Sequence, residues 1–90
     1  MKVVTVDTTA GGVELAPAGN RDFLHILNNG AATIYLKYDG SATALTTANG
    51  WPVPAGNYFN LDNDGNRNVF NKQVLAISAG SVEARVQGAD

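Results

Sequence analysis

The densest run of oxygen ligands in the chain is Asn60-Leu61-Asp62-Asn63-Asp64-Gly65. Oxygens at positions one, three and five, with glycine at six, match the first half of a calcium loop. The second half departs from it. Position eight is Arg67, and position twelve is Asn71 where a bidentate glutamate belongs. No helix pattern flanks the run. An Asx-rich β-turn between Tyr58–Leu61 and the Val69–Phe70 segment accounts for the same residues without an ion. Asn60, Asp62 and Asp64 are weak calcium candidates, and no metal or other cofactor is expected to be required.

His25 is the only histidine. Nucleophilic catalysis would need it between a nucleophile and an orienting acid. It alternates onto the same side of an extended segment as Phe23 and Leu27, which suits a partly buried, hydrogen-bonded structural residue. The acidic residues between Asp7 and Glu83 show no spacing that selects a hydrolytic pair. Gly11-Gly12 leads into a strand pattern and not a helix, so it is no phosphate loop. The aromatics Tyr35, Trp51, Tyr58 and Phe59 would suit a sugar platform if they shared one surface. The plainer use of Trp51 is to close the core near a rim, and of Tyr35 to fill a subunit contact. The expectation is a non-enzymatic protein.

Composition narrows the classes further. Ninety residues make one domain, 1–90, with a modest core. There is no cysteine, so disulfides and thiolate metal sites are excluded. Oligomerisation or docking on a larger body is the remaining support for so small a fold. Charged residues are 16% of the chain, and the net charge is −2, against about 25% charged in typical domains. No Lys/Arg run marks a nucleic-acid footprint. No apolar run approaches the roughly 20 residues of a membrane span. The start of the chain lacks the long apolar stretch of a signal peptide. The expected product is soluble, made in a cytoplasm, and binds neither nucleic acid nor membrane.

The elements that would position these residues are short strands. Turn chemistry recurs about every ten residues, at Gly11-Gly12, Asn29-Gly30, Asp39-Gly40, Asn49-Gly50, Asp64-Gly65, Ala79-Gly80 and two Pro-Ala-Gly-Asn tetrapeptides. Asn-Gly and Asp-Gly tolerate the positive φ of tight hairpin turns. Pro-Ala-Gly-Asn fits a type II turn with Gly19 or Gly56 third. Val82, Ala84 and Val86 alternate with Glu83, Arg85 and Gln87, and Ile34 and Leu36 alternate with Tyr35 and Lys37. Phe23–Asn28 and Val74–Ser78 are apolar on both faces, as central strands are. The 39–50 stretch predicts an exposed loop or an edge strand. Residues 1–9 read as an N-terminal arm or edge strand. The fold expected is a small antiparallel β-sandwich or jelly-roll-like barrel of about eight short strands. Its core is Leu24, Ile26, Ile34, Leu36, Ile77, Val82, Ala84 and Val86.

Several residues also carry a family resemblance. Arg21, Leu24, Ile26 and Asn28 form an R-x-x-L-x-I-x-N pattern. Ile34-Tyr35-Leu36 follows, then Gly-Trp-Pro-Val-Pro-Ala-Gly at Gly50 to Gly56, Val74-Leu75-Ala76-Ile77, and the strand from Val82 to Val86. Over residues 20 to 87 this resembles the small β-sandwich virion proteins of tailed bacteriophages, especially capsid decoration (cement) proteins. The resemblance implies a structural protein on the capsid surface of the virion. Its implied partners are the major capsid protein and its own copies, most often as a homotrimer. It implies no catalytic residues. Val3, Val4, Val6, Tyr35 and Trp51 are the interface candidates. The alternatives are a receptor- or glycan-binding module of a phage tail or fibre and, more remotely, a small hydrolase.

Chelation is expected to leave the melting temperature unchanged. A large drop restored by calcium would make the Asn60–Asp64 run a metal site, since a ligand held only by the native state raises its stability.

Overall fold

Alternation of apolar and polar residues fixes which side of each strand meets the core. The computed structural model describes residues 2–19, 23–62 and 72–88. The strands are β1 (Lys2–Val6), β2 (Val13–Ala16), β3 (Phe23–Asn28), β4 (Ile34–Lys37), β5 (Trp51–Val53), β6 (Tyr58–Asp62), β7 (Val74–Ser78) and β8 (Val82–Gln87). None of the described residues is helical. Residues 63–71, which include Asp64, lie outside the described residues.

Two four-stranded sheets result, β1-β8-β3-β6 (sheet A) and β2-β7-β4-β5 (sheet B). All pairings are antiparallel. Only β4 and β5 are both consecutive and paired. Every other connection crosses from one sheet to the other, and strand one pairs with eight, two with seven, and three with six. This is one long hairpin rolled into a sandwich, the jelly-roll arrangement. The two segments that are apolar on both faces, β3 and β7, are interior strands of their sheets, as their composition predicts.

Leu24 and Ile26 of β3, Val82, Ala84 and Val86 of β8, and Val6 of β1 point inward from sheet A. Ile34 and Leu36 of β4, Val53 of β5, and Val74 and Ala76 of β7 meet them from sheet B. The eight expected core residues are all buried. Ile77 differs from the rest. It pairs with Tyr35 on the outward side of sheet B and stands outside the main cluster. A bulge in β2 between Glu14 and Ala16 lets adjacent Leu15 and Ala16 both bury completely.

The expectation of tight Asn-Gly hairpins is not met. Neither Gly30 nor Gly50 has positive φ. Both allow close approach instead: a Cβ on Gly30 would lie 2.4 Å from Val82 Cγ1, and one on Gly50 2.7 Å from Tyr35 Cβ. Pro54-Ala55-Gly56-Asn57 does form the expected turn, with Gly56 at φ 79° and Asn57 N–H donating to the Pro54 carbonyl at 3.0 Å. Gly19, at φ 155°, is far from the value near +80° that a type II turn requires.

Antiparallel pairing puts the corners β1–β2, β3–β4, β5–β6 and β7–β8 at one end of the sandwich. Asn28, completely buried at the end of β3, binds two of these corners together. Its Nδ2 donates to the carbonyls of Ala32 and Val53, each at 2.8 Å. Its Oδ1 accepts the Gly30 N–H at 3.1 Å. Its backbone N–H donates to Asn57 and its carbonyl accepts from Gly56 N–H. Ser78 does similar work: its hydroxyl donates to the Thr33 carbonyl and its N–H to the Asp7 carbonyl.

Asn28→Ala is expected to cost about 2–4 kcal/mol, because buried carbonyls lose their donors. Asn28→Asp should cost more at neutral pH, since it sets a carboxylate against those carbonyls. Burial would raise that carboxyl's folded pKa above its unfolded value near 3.9. The unfolded state then releases its proton first, so the variant loses stability as pH rises above about 4. Urea titrations at pH 4 and pH 7 measure this.

Candidate functional site

The opposite end of the sandwich carries the one long described connection, residues 38–50 between β4 and β5. It is a loop, mostly exposed, as its composition suggests. It is nevertheless anchored. Leu45 is only 2% exposed. A Cβ on Gly12 would stand 3.0 Å from Leu45 Cδ2 and 3.2 Å from Leu75 Cβ, and one on Gly50 would stand 2.8 Å from Leu45 Cδ1. The leucine therefore plugs the loop against the side of sheet B that faces away from the core. Asn49 braces the loop from within: its Oδ1 accepts Thr46 N–H at 2.8 Å, and its Nδ2 donates to the Ala44 carbonyl at 3.0 Å.

An open groove of about 440 Å³ lies between this loop and the ends of β4 and β5. Trp51 and Tyr38 supply its aromatic surface, and Lys37, Asp39, Ser41 and Thr43 supply its polar groups. Trp51 pairs with Leu36 and so leans toward the interior at the sandwich mouth. Its ring centroid is 6.3 Å from that of Phe59 on β6, and the Phe59 centroid is 5.3 Å from that of Tyr38. The three rings close the side of the sandwich between the edge strands β5 and β6. Even so, 55% of Trp51 remains exposed. Asp39 accepts the Ser41 N–H at 2.9 Å. That bond, the Ser41 hydroxyl and, least of all, Lys37 hold its carboxyl below the usual range. Asp39 therefore presents an ionised, acceptor-only group at neutral pH.

The aromatic residues singled out in the sequence do not share one surface. Tyr35 lies half-buried on the outward side of sheet B, and Tyr58 is exposed on the outward side of sheet A. Phe59 packs against the core. Of the interface candidates, Val3 is 59% exposed. Val4 is half-buried against the core, and Val6 is completely buried and belongs to it. Strand alternation explains this division, since Val4 and Val6 share one face of β1 and Val3 the other. Residues 2–6 form an edge strand paired with β8 and not a detached arm. Asn60 lies within β6, opposite His25, and Asp62 ends that strand. Among the described residues no three His, Cys, Asp or Glu side chains gather as metal ligands. The His25 ring sits 5.0 Å from the Phe23 ring on the outward side of sheet A, remote from the groove.

Sheet A carries a second feature. Val3, Arg85, Leu27 and Tyr58 lie side by side across all four strands, facing outward. Phe23 shares that side. Among the described residues, three of the four exposed large hydrophobic side chains (Val3, Phe23 and Tyr58, but not Trp51) therefore occupy one face. Two of its charged residues pair: Arg85 bonds Glu83 at 2.8 Å, and Glu83 also accepts from Asn29. Single-residue composition does not reveal this face. The outward register of β1, β3 and β6 does.

Leu45→Ala is expected to destabilise the protein by about 2–4 kcal/mol and to free the loop. Amide exchange at Thr46 and Ala48 should quicken well beyond that of β3. Equal protection in variant and parent would show that Leu45 does not anchor the loop.

The chain matches no family model, no curated protein and no solved structure, so its function has to be read from these two surfaces.

Proposed function

We propose that this chain is a non-enzymatic structural protein of a tailed-phage particle, a decoration protein that binds the outer capsid lattice and stabilises it. The observation that carries the reading is the outward face of sheet A, which exposes Val3, Phe23 and Tyr58 and sets half-buried Leu27 opposite Tyr58. Three exposed large apolar side chains on one face of so small a domain favour a protein partner. Arg85 and Glu83 pair with each other, so that charge is already matched before docking. The sequence resemblance names the partner as the major capsid protein.

Self-association is supported by the sheet edges. Pro52 blunts the β5 edge, because proline has no N–H to offer a further strand. A bulge distorts β2. β1 and β6, the two edges of sheet A, are regular five-residue strands with neither device. Each is an edge on which a second copy can add a strand. Three subunits is the number the resemblance implies.

Sedimentation and binding to undecorated capsids of the parent particle test the reading. Oligomeric protein that coats such capsids and raises their resistance to heat is the expected result. The double variant Val3→Ser, Tyr58→Ser should keep its fold and bind capsids at least tenfold more weakly. A strictly monomeric protein that leaves capsids bare would end the proposal.

A further inference from the structure

We infer that the Trp51–Tyr38 groove is a binding site for neutral saccharides. Four observations lead there. First, the groove's size falls in the range of small-ligand clefts, about 300–1,000 Å³, at about 440 Å³. Second, one wall is a tryptophan that stays 55% exposed although it contacts Phe59. The Phe59 ring, which also packs on Tyr38, holds the indole in place, so ordering it on binding costs little. Third, the facing groups are polar and short: Asp39, Ser41 and Thr43, with Lys37 beside them. Fourth, the wall is braced by Leu45 and Asn49, so it exists before a ligand arrives.

The ligand class follows from the chemistry of those walls. A phosphate or other anion needs an excess of cationic donors, and here Lys37 is matched by Asp39. A lipid or purely apolar molecule needs an enclosed apolar cavity, and this groove is open and half polar. A pyranose has a C–H face that covers an indole and a rim of hydroxyls. Those hydroxyls donate to the Asp39 carboxylate and accept from the Lys37 ammonium, while Ser41 and Thr43 hydroxyls both donate and accept. An open groove admits a ring within a chain as readily as a terminal one. Oligosaccharides are therefore the better ligands, with dissociation constants weak for each single site.

Trp51 is the only tryptophan in the chain, so its fluorescence reports on this groove alone. The purified protein would be screened against an array of neutral, sulfated and phosphorylated oligosaccharides. It would then be titrated with cellotriose, maltotriose, galactobiose and mannobiose while tryptophan emission is followed. The expected result is a saturable change with at least one of these. Asp39→Asn, followed by the same emission, should weaken binding at least tenfold. Trp51→Leu, which keeps apolar volume but removes the flat ring, should do the same by calorimetry, with an unchanged melting temperature confirming its fold. The Val3→Ser, Tyr58→Ser variant should bind the sugar as the parent does, which separates this site from the proposed capsid face. No saturable change with any probe, or affinity unchanged in a folded Trp51→Leu protein, would overturn the inference. Preference for sulfated or phosphorylated glycans over neutral ones would overturn it too.

Discussion

The fold depends on one buried amide. A jelly roll sends nearly every connection from one sheet to the other, so its corners leave backbone groups that no ladder pairs. Unpaired, each such group would cost about 1–3 kcal/mol once shielded from water. Asn28 meets this demand where the β3–β4 and β5–β6 corners converge, with two donors and an acceptor on its side chain. Its backbone joins the same two corners. No apolar residue can replace that set, and aspartate reverses the sign of its donors. Ser78 and the Asn29–Glu83 contacts extend the lacing to the other two corners at this end. One end of the sandwich is thereby fixed by polar bonds, which leaves the other end free to carry a long loop.

Strands and layers were legible in the sequence because their signal is local. Period-two alternation in Val82–Gln87 and Ile34–Lys37 names the buried face directly, and two-sided apolar character in Phe23–Asn28 and Val74–Ser78 marks interior strands. The corners were harder to read. Asn-Gly pairs suggest positive φ, but at Gly30 and Gly50 glycine serves close packing, a property of what lies across the turn. Tertiary approach of that kind leaves no trace in neighbouring residues. Val6 shows the same limit: an apolar start suggests an arm or contact surface, yet register with Val82 places that residue in the core.

The candidate site was less legible than the core. Four aromatics suggested a platform, but strand parity sends Tyr35 and Tyr58 to opposite outer faces and turns Phe59 inward. What remains is Trp51, supported by Phe59, with Tyr38 sharing the groove. Leu45 is hidden in the sequence for a different reason. A lone leucine among serines, threonines and alanines reads as part of an exposed loop. Its burial comes from contact with Gly12, distant in sequence, and Gly50, at the end of the same loop, both lacking the side chain that would exclude it. A sole large apolar residue in a polar loop is the signal that could have found it.

The outward face of sheet A and the groove at the β4–β5 rim of sheet B share no residue. Occupying one leaves the other accessible, since Tyr58 turns outward from β6 while its neighbour Phe59 turns in to support Trp51. A protein attached to a lattice through sheet A would therefore present its groove in many copies. Single saccharide contacts of the kind this open groove can make are weak. Repeated at lattice spacing, they convert later contacts into events at high effective concentration, and avidity can exceed single-site affinity by about 10²–10⁴. A small domain with shallow binding surfaces gains most from such repetition. Rigidity is then worth more than depth, which is what the Asn28 corners at one end and the Leu45 anchor at the other provide.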